Sequence, residues 1–155
     1  MKPGGAAVET SPLSVRRSIH IDATPDRIWK EFENFDKMAA WWGKGHELEV
    51  YEPRKGGRIE MSVDVDGEMR RFGGAILVFD AGRELTFEDN WIPPREWPMP
   101  VFITIRLTPY LNGTMVELLV HGFERFGDRA AERHLGLESG WSVHQLKWLR
   151  GIVEA

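Results

Sequence analysis

RIEMSVDVDGEMRRFGGAILVF, residues 58–79, decides the fold. From Arg58 to Val65 the chain alternates, with Ile59, Met61, Val63 and Val65 on one face and polar side chains between them. A period of two marks a half-buried strand. Asp66-Gly67 follows, a dipeptide that supplies the left-handed backbone of a two-residue hairpin turn. The return from Glu68 to Phe79 puts Phe72, Gly74, Ile76 and Val78 in register with the first strand. This is an antiparallel hairpin with no crossover segment.

The pattern extends in both directions. His46–Tyr51 reads as a preceding strand, followed by a turn through Pro53, Gly56 and Gly57. The turn Asp80-Ala81-Gly82 leads into Arg83–Trp91, where Leu85, Phe87, Asp89 and Trp91 share a face. Ile92–Pro100 carries four prolines and reads as a loop near the strand ends, because each proline removes a ladder donor. Val101, Ile103, Ile105 and Leu107 define a further strand. Leu111-Asn112-Gly113 turns the chain into Thr114–Phe123, with Val116, Leu118 and Val120 inward.

Helices flank this meander. After a strand over Val15–Ile21, Thr24-Pro25-Asp26 supplies a cap, a first-turn proline and an acid at the positive helix end. Asn34 breaks that helix, and Lys37 to Trp42 forms a second short one stopped by Gly43 and Gly45. Trp41 and Trp42 are neighbours on it, about 100° apart, so one of them is expected to face inward. From Gly127-Asp128 the chain reads as helical to its end, with Trp141, Gln145, Trp148 and Ile152 as one stripe. Gly136 and Gly140 either break this helix or let it lie close to other backbone. Strands grouped between segregated helices define an α+β protein. The expected form is a curved antiparallel sheet of six to seven strands around a long C-terminal helix.

The bulk composition sets bounds. At 155 residues and 42% hydrophobic content the chain supports one well-buried domain, placed at 14–155, after a flexible Gly/Pro/Ser/Thr-rich tail at 1–13. Basic and acidic residues, 20 and 24, are intermixed to a net −4, so a nucleic-acid partner is not expected. No apolar run approaches a membrane span. The absence of cysteine excludes disulfides and thiolate catalysis. A cytoplasmic location is the default expectation.

The layout and its local motifs resemble the SRPBCC superfamily (START/Bet v 1-like, helix-grip fold). Within it they resemble homologues of the C-terminal domain of the activator of Hsp90 ATPase. The residues that carry the likeness are Ala23-Thr24-Pro25-Asp26-Arg27-Ile28-Trp29, Trp41-Trp42, Gly56-Gly57-Arg58, Gly74, Arg83-Glu84-Leu85-Thr86-Phe87, Gly113-Thr114 and Gly140-Trp141. The resemblance covers roughly residues 15 to 154. It implies a cavity between sheet and C-terminal helix that holds a hydrophobic or aromatic small molecule. It also implies two alternatives, a polyketide cyclase/dehydratase-like enzyme using the same cavity and a co-chaperone-like interaction module. A homodimer and a chaperone partner belong with these implied partners.

The residues nominated for the cavity are Trp42, Met61, Phe72, Asp89, Trp91, Trp97, Trp141, His144, Gln145 and Trp148. Trp91 and Trp97 bracket the proline loop, which suits a rim or lid. Trp141 and Trp148 are seven apart and would share a helix face. Gln145 lies on the stripe where leucine would be the ordinary choice, and a buried amide needs a partner. Asp89 and His144 are the candidate acid/base groups: Asp89 shares the inward face of its strand, and a desolvated carboxyl titrates high. No two of the five histidines stand four apart and no HExxH occurs, so no metal is expected. No phosphate-binding glycine motif is present, so no cofactor is expected.

Overall fold

A computed structural model describes residues 13–155. The tail expected at 1–13 therefore lies, but for Leu13, outside the described residues. Seven strands follow in chain order: β1 (Val15–Ile21), β2 (Glu47–Tyr51), β3 (Arg58–Val65), β4 (Glu68–Asp80), β5 (Glu84–Ile92), β6 (Val101–Tyr110) and β7 (Gly113–His121). They form one antiparallel sheet in the order β1-β7-β6-β5-β4-β3-β2. Two short helices, α1 (Pro25–Trp29) and α2 (Phe35–Trp42), separate β1 from β2, with a 3-10 turn at Lys30–Phe32 between them. Two more, α3 (Ala130–Gly140) and α4 (His144–Val153), close the chain. This is the helix-grip architecture.

The turns and caps follow from side-chain chemistry. Asp66 and Gly67 take φ of 54° and 84°, and Leu111 and Asn112 take 49° and 61°, the double left-handed backbone that tight hairpins need. The Thr24 hydroxyl accepts from the Arg27 amide at 3.1 Å, and the Asn34 carboxamide oxygen accepts from the Lys37 amide at 2.9 Å. Asn34 thus does two things, ending the first helical run and starting the second two residues earlier than spacing indicates. Gly73 sits at φ 133° against β3, where a Cβ would collide with the Ile59 carbonyl oxygen.

Four expectations are corrected. Val78 does not continue the inward face of β4, because Ile76 pairs with Phe87 while Val78 pairs with Thr86. Leu77 is the extra residue of this bulge, and the next inward side chain is Phe79, whose ring meets Trp29 at 5.2 Å. Second, Trp41 and Trp42 are both fully buried. Helix α2 is covered on two sides: Trp41 packs on Phe32 and donates its indole N–H to the Glu31 carbonyl, while Trp42 stacks on Trp141 at 5.2 Å.

Third, Gly127-Asp128 does not open a helix. Gly127 (φ 56°, ψ −123°) kinks a 3-10 stretch, Phe123–Arg129, and regular helix starts at Ala130. Fourth, Trp141 and Trp148 do not share a helix face, because the C-terminal helix is bent into two parts, one of the two outcomes that Gly136 and Gly140 left open. Trp141 is extended (φ −116°, ψ 125°), so it stands in the break rather than on a stripe with Trp148. The buried face of α4 is Gln145, Leu146 and Leu149, with Trp148 half-buried at its edge.

Candidate functional site

The inward faces of β3, β4 and β5, the segment before β2, and α3 line a half-open cavity of about 240 Å³. Its walls are aromatic. Phe72 on β4 pairs in register with Trp91 on β5, and their rings meet edge-on at 5.9 Å. The Trp141 ring lies 6.4 Å from Phe72 and rests on Trp42 beneath it. His46 fits among them, 5.6 Å from Phe72 and 5.9 Å from Trp141. The roof is α3, where Arg133, Gly136 and Gly140 follow at helical spacing on one face. A Cβ built on either glycine would meet nothing within 4 Å, so the space in front of them is open.

Three residues of this lining each carry a buried polar atom without a partner. Asp89 is 4% exposed and its Oδ1 makes no hydrogen bond. Burial pushes its carboxyl up to about 7, against the opposing pull of the Arg133 charge. Arg133 is 6% exposed and its Nε–H is unpartnered. Burial pulls its guanidinium below the usual range, while Asp89 and Glu96 act in the other direction. His46 is pulled down to about 4 by burial, against a backbone hydrogen bond to Trp42, and its Nε2 has no partner. At neutral pH it is an uncharged imidazole.

The proline-rich loop acts from behind. The Asn90 amide donates to the Trp97 carbonyl at 2.8 Å, and its oxygen accepts from the Trp91 amide at 2.9 Å. The loop is thereby tied to β5 beside Asp89. The buried Trp97 ring lies under the Arg133 guanidinium at 4.8 Å, with Phe126 edge-on at 5.4 Å. A cation held over aromatic faces keeps favourable electrostatics without a carboxylate partner.

Of the residues nominated from sequence, Phe72, Asp89, Trp91 and Trp141 line the cavity. Trp42 and Met61 are fully buried below and beside it, and Trp97 stands behind Arg133. Gln145 is buried on α4 with its Oε1 unpartnered, away from the cavity lining. His144 is exposed, its ring 3.3 Å from the Ser142 hydroxyl and 6.0 Å from Trp148. Neither His144 nor Trp148 reaches the cavity, because the break at Trp141 turns α4 away from it. His46 and Arg133 were not nominated. The signal for Arg133 was the bare face it shares with Gly136 and Gly140; His46, in a loop, gave none. Among the described residues, no group of three or more His, Cys, Asp or Glu could hold a metal, and no helix is long and apolar enough to cross a membrane.

A curved antiparallel sheet gripping a bent C-terminal helix, with a cavity between them, defines an SRPBCC-superfamily protein. More particularly, the chain belongs to the polyketide cyclase/dehydrase and lipid transport family, whose profile matches residues 12–147. No curated protein matches it. Among solved structures it is similar to protein CV1439 from Chromobacterium violaceum, at 23% identity and TM-score 0.67, covering 94% of this chain and 99% of that one. It is also similar to DynU16, a putative protein of the dynemicin biosynthetic locus, at 19% identity and TM-score 0.65, covering 94% of this chain and 48% of that one. The Aha1 dimer from Colwellia psychrerythraea aligns at 16% identity and TM-score 0.57, covering 87% and 92%. The finer resemblance to homologues of the Hsp90 ATPase activator rests on that fold-level likeness alone, and the matching family profile is the cyclase one.

Proposed function

We propose that this cavity binds a small aromatic molecule bearing a polar group. The observation that carries the reading is that three residues lining one aromatic-walled space each hold a buried, unpartnered polar atom, His46 Nε2, Asp89 Oδ1 and Arg133 Nε. Buried polar groups in folded proteins are paired, and each exception calls for a cause. Apolar walls with a few convergent polar groups are the common form of a small-molecule site. At about 240 Å³ the cavity falls below the ~300–1,000 Å³ that drug-sized ligands occupy, so the part of the guest it holds has one or two rings. Phe72, Trp91 and Trp141 supply contact area, and His46, Asp89 and Arg133 orient the polar group.

The test is tryptophan emission, since Trp91 and Trp141 both border the cavity. One- and two-ring aromatics should quench it saturably, and Gly136→Leu, which fills the open space, should abolish the effect. Absence of any saturable response across such a panel overturns the reading.

Asp89 favours a second reading, acid–base catalysis of the cyclase or dehydratase kind. A carboxyl titrating at about 7 in a cavity can hold or release a proton at neutral pH. Under that reading Asp89→Asn abolishes turnover of a bound β-hydroxy carbonyl substrate while the fold persists. An unchanged rate rules it out.

A further inference from the structure

We infer that the guest is an organic anion, an aromatic monocarboxylate or similarly small aromatic acid, whose oxygens are shared between Arg133 and Asp89. This rests on the reading of the cavity as the binding site and adds the charge of what it takes.

Arg133 carries the argument. It is the only buried residue of α3, and its guanidinium is held over Trp97 at 4.8 Å and Phe126 at 5.7 Å. Among the described residues nine ion pairs form, and Arg133 takes part in none. The neighbouring cations differ: Arg129, over the same Trp97 ring, is paired with Glu132, and Arg70, over Trp91, is paired with Glu68. A buried charge without a counter-charge is costly, and a bound anion removes that cost while gaining a charge-assisted hydrogen bond.

Asp89 does not fill this role. It lies in the same cavity, yet its Oδ1 is unpartnered and no ion pair joins it to Arg133. The charged or titratable groups facing it are Arg133 from α3 and His46 from the segment before β2; Glu96, exposed on the proline loop, acts on Arg133. With its carboxyl raised to about 7, Asp89 is protonated in about half of the molecules at pH 7, and in that form it donates to an acceptor oxygen. In that form the cavity presents two donors and one positive charge. A cationic guest would meet Arg133 unfavourably, and a neutral one would leave its charge uncompensated. An acid satisfies both donors at once. Binding it favours the protonated form of Asp89, so complex formation takes up a proton.

The probes are 1-naphthoate and its neutral counterpart 1-naphthamide, titrated calorimetrically into the whole protein near pH 7.5 in two buffers of different ionisation enthalpy. Wild type should bind the acid roughly ten- to a hundredfold more tightly, the range for hydrogen bonds to charged groups. Uptake of a fraction of a proton should accompany it and vanish in Asp89→Asn. Arg133→Gln should bring the two probes to near parity. If that variant fails to fold, the wild-type comparison and the buffer dependence still decide. Equal or tighter binding of the amide, or no proton uptake by wild type, overturns the anion assignment and leaves the site standing. Failure of both probes to bind removes the site as well.

Discussion

Replacing Asp89 with asparagine should change how stability depends on pH, with a slope that follows from the site. The Asp89 carboxyl moves from an ordinary value of 3.8 to about 7 on folding, because burial disfavours its charge. Between these values the folded protein holds a proton that the unfolded chain has released, so this group makes stability fall as pH rises, at ~1.4 kcal/mol per unit. His46 does the reverse. Its pKa drops from 6.5 to about 4, so across that interval the unfolded chain holds the extra proton and stability rises with pH by a similar slope. In the wild type the two slopes oppose each other over most of their range.

Asp89→Asn removes the falling slope and unmasks the rising one. The variant should gain on the wild type by about 3 kcal/mol between roughly pH 4.5 and 6.5. His46→Gln should give the mirror image, with stability relative to wild type falling over the same interval. Urea unfolding followed by tryptophan emission at three pH values measures both. A wild-type-to-Asp89→Asn difference that stays flat with pH would mean that Asp89 is not desolvated, and the account of the cavity's electrostatics would fail.

Three further outcomes are expected. Gly73→Ala forces a Cβ onto the Ile59 carbonyl at a left-handed φ, and should cost more than about 3 kcal/mol in a chemical melt. His144→Ala, at an exposed position off the cavity, should leave stability within about 0.5 kcal/mol and quenching by aromatic probes unchanged. A double-mutant cycle of Trp97→Leu with Arg133→Gln should give a coupling of about 1–2 kcal/mol in unfolding free energy, and additivity would show that the ring does not hold the guanidinium.

The sheet was legible because strands declare themselves by period two and hairpins by their turn residues; β3, β4 and the Asp66-Gly67 turn are the clearest instance. The same alternation put Phe72, Asp89 and Trp91 on the face that borders the cavity. What it could not carry was the bulge at Leu77, since an extra residue between strands leaves no mark in composition. Trp41 and Trp42 were underread because helical spacing assumes one covered face, whereas α2 is packed on two. A stripe counted through Trp141 presupposed continuous helix, and one extended residue displaced His144 and Trp148 from the site. Arg133 and His46 come from a helix and a loop whose approach to the sheet depends on tertiary placement. Their neighbours in space are far away in sequence.

The way α3 is fastened has a thermal consequence. Helix α4 docks through Leu146 and Leu149, whereas the one side chain α3 buries is a guanidinium. Beyond Arg133, α3 packs only the half-buried Ala130 and Leu137 against the core, so the helix contributes less apolar surface of its own than α4, and heat capacity and denaturant sensitivity both scale with the surface exposed. Its opening equilibrium should therefore vary less with temperature and with urea than global unfolding does, while the sheet beneath follows the usual curved stability profile. Amide exchange in α3 would proceed by local fluctuation under conditions where β4 and β5 exchange only on global unfolding. The roof of the cavity and its walls then obey different thermometers.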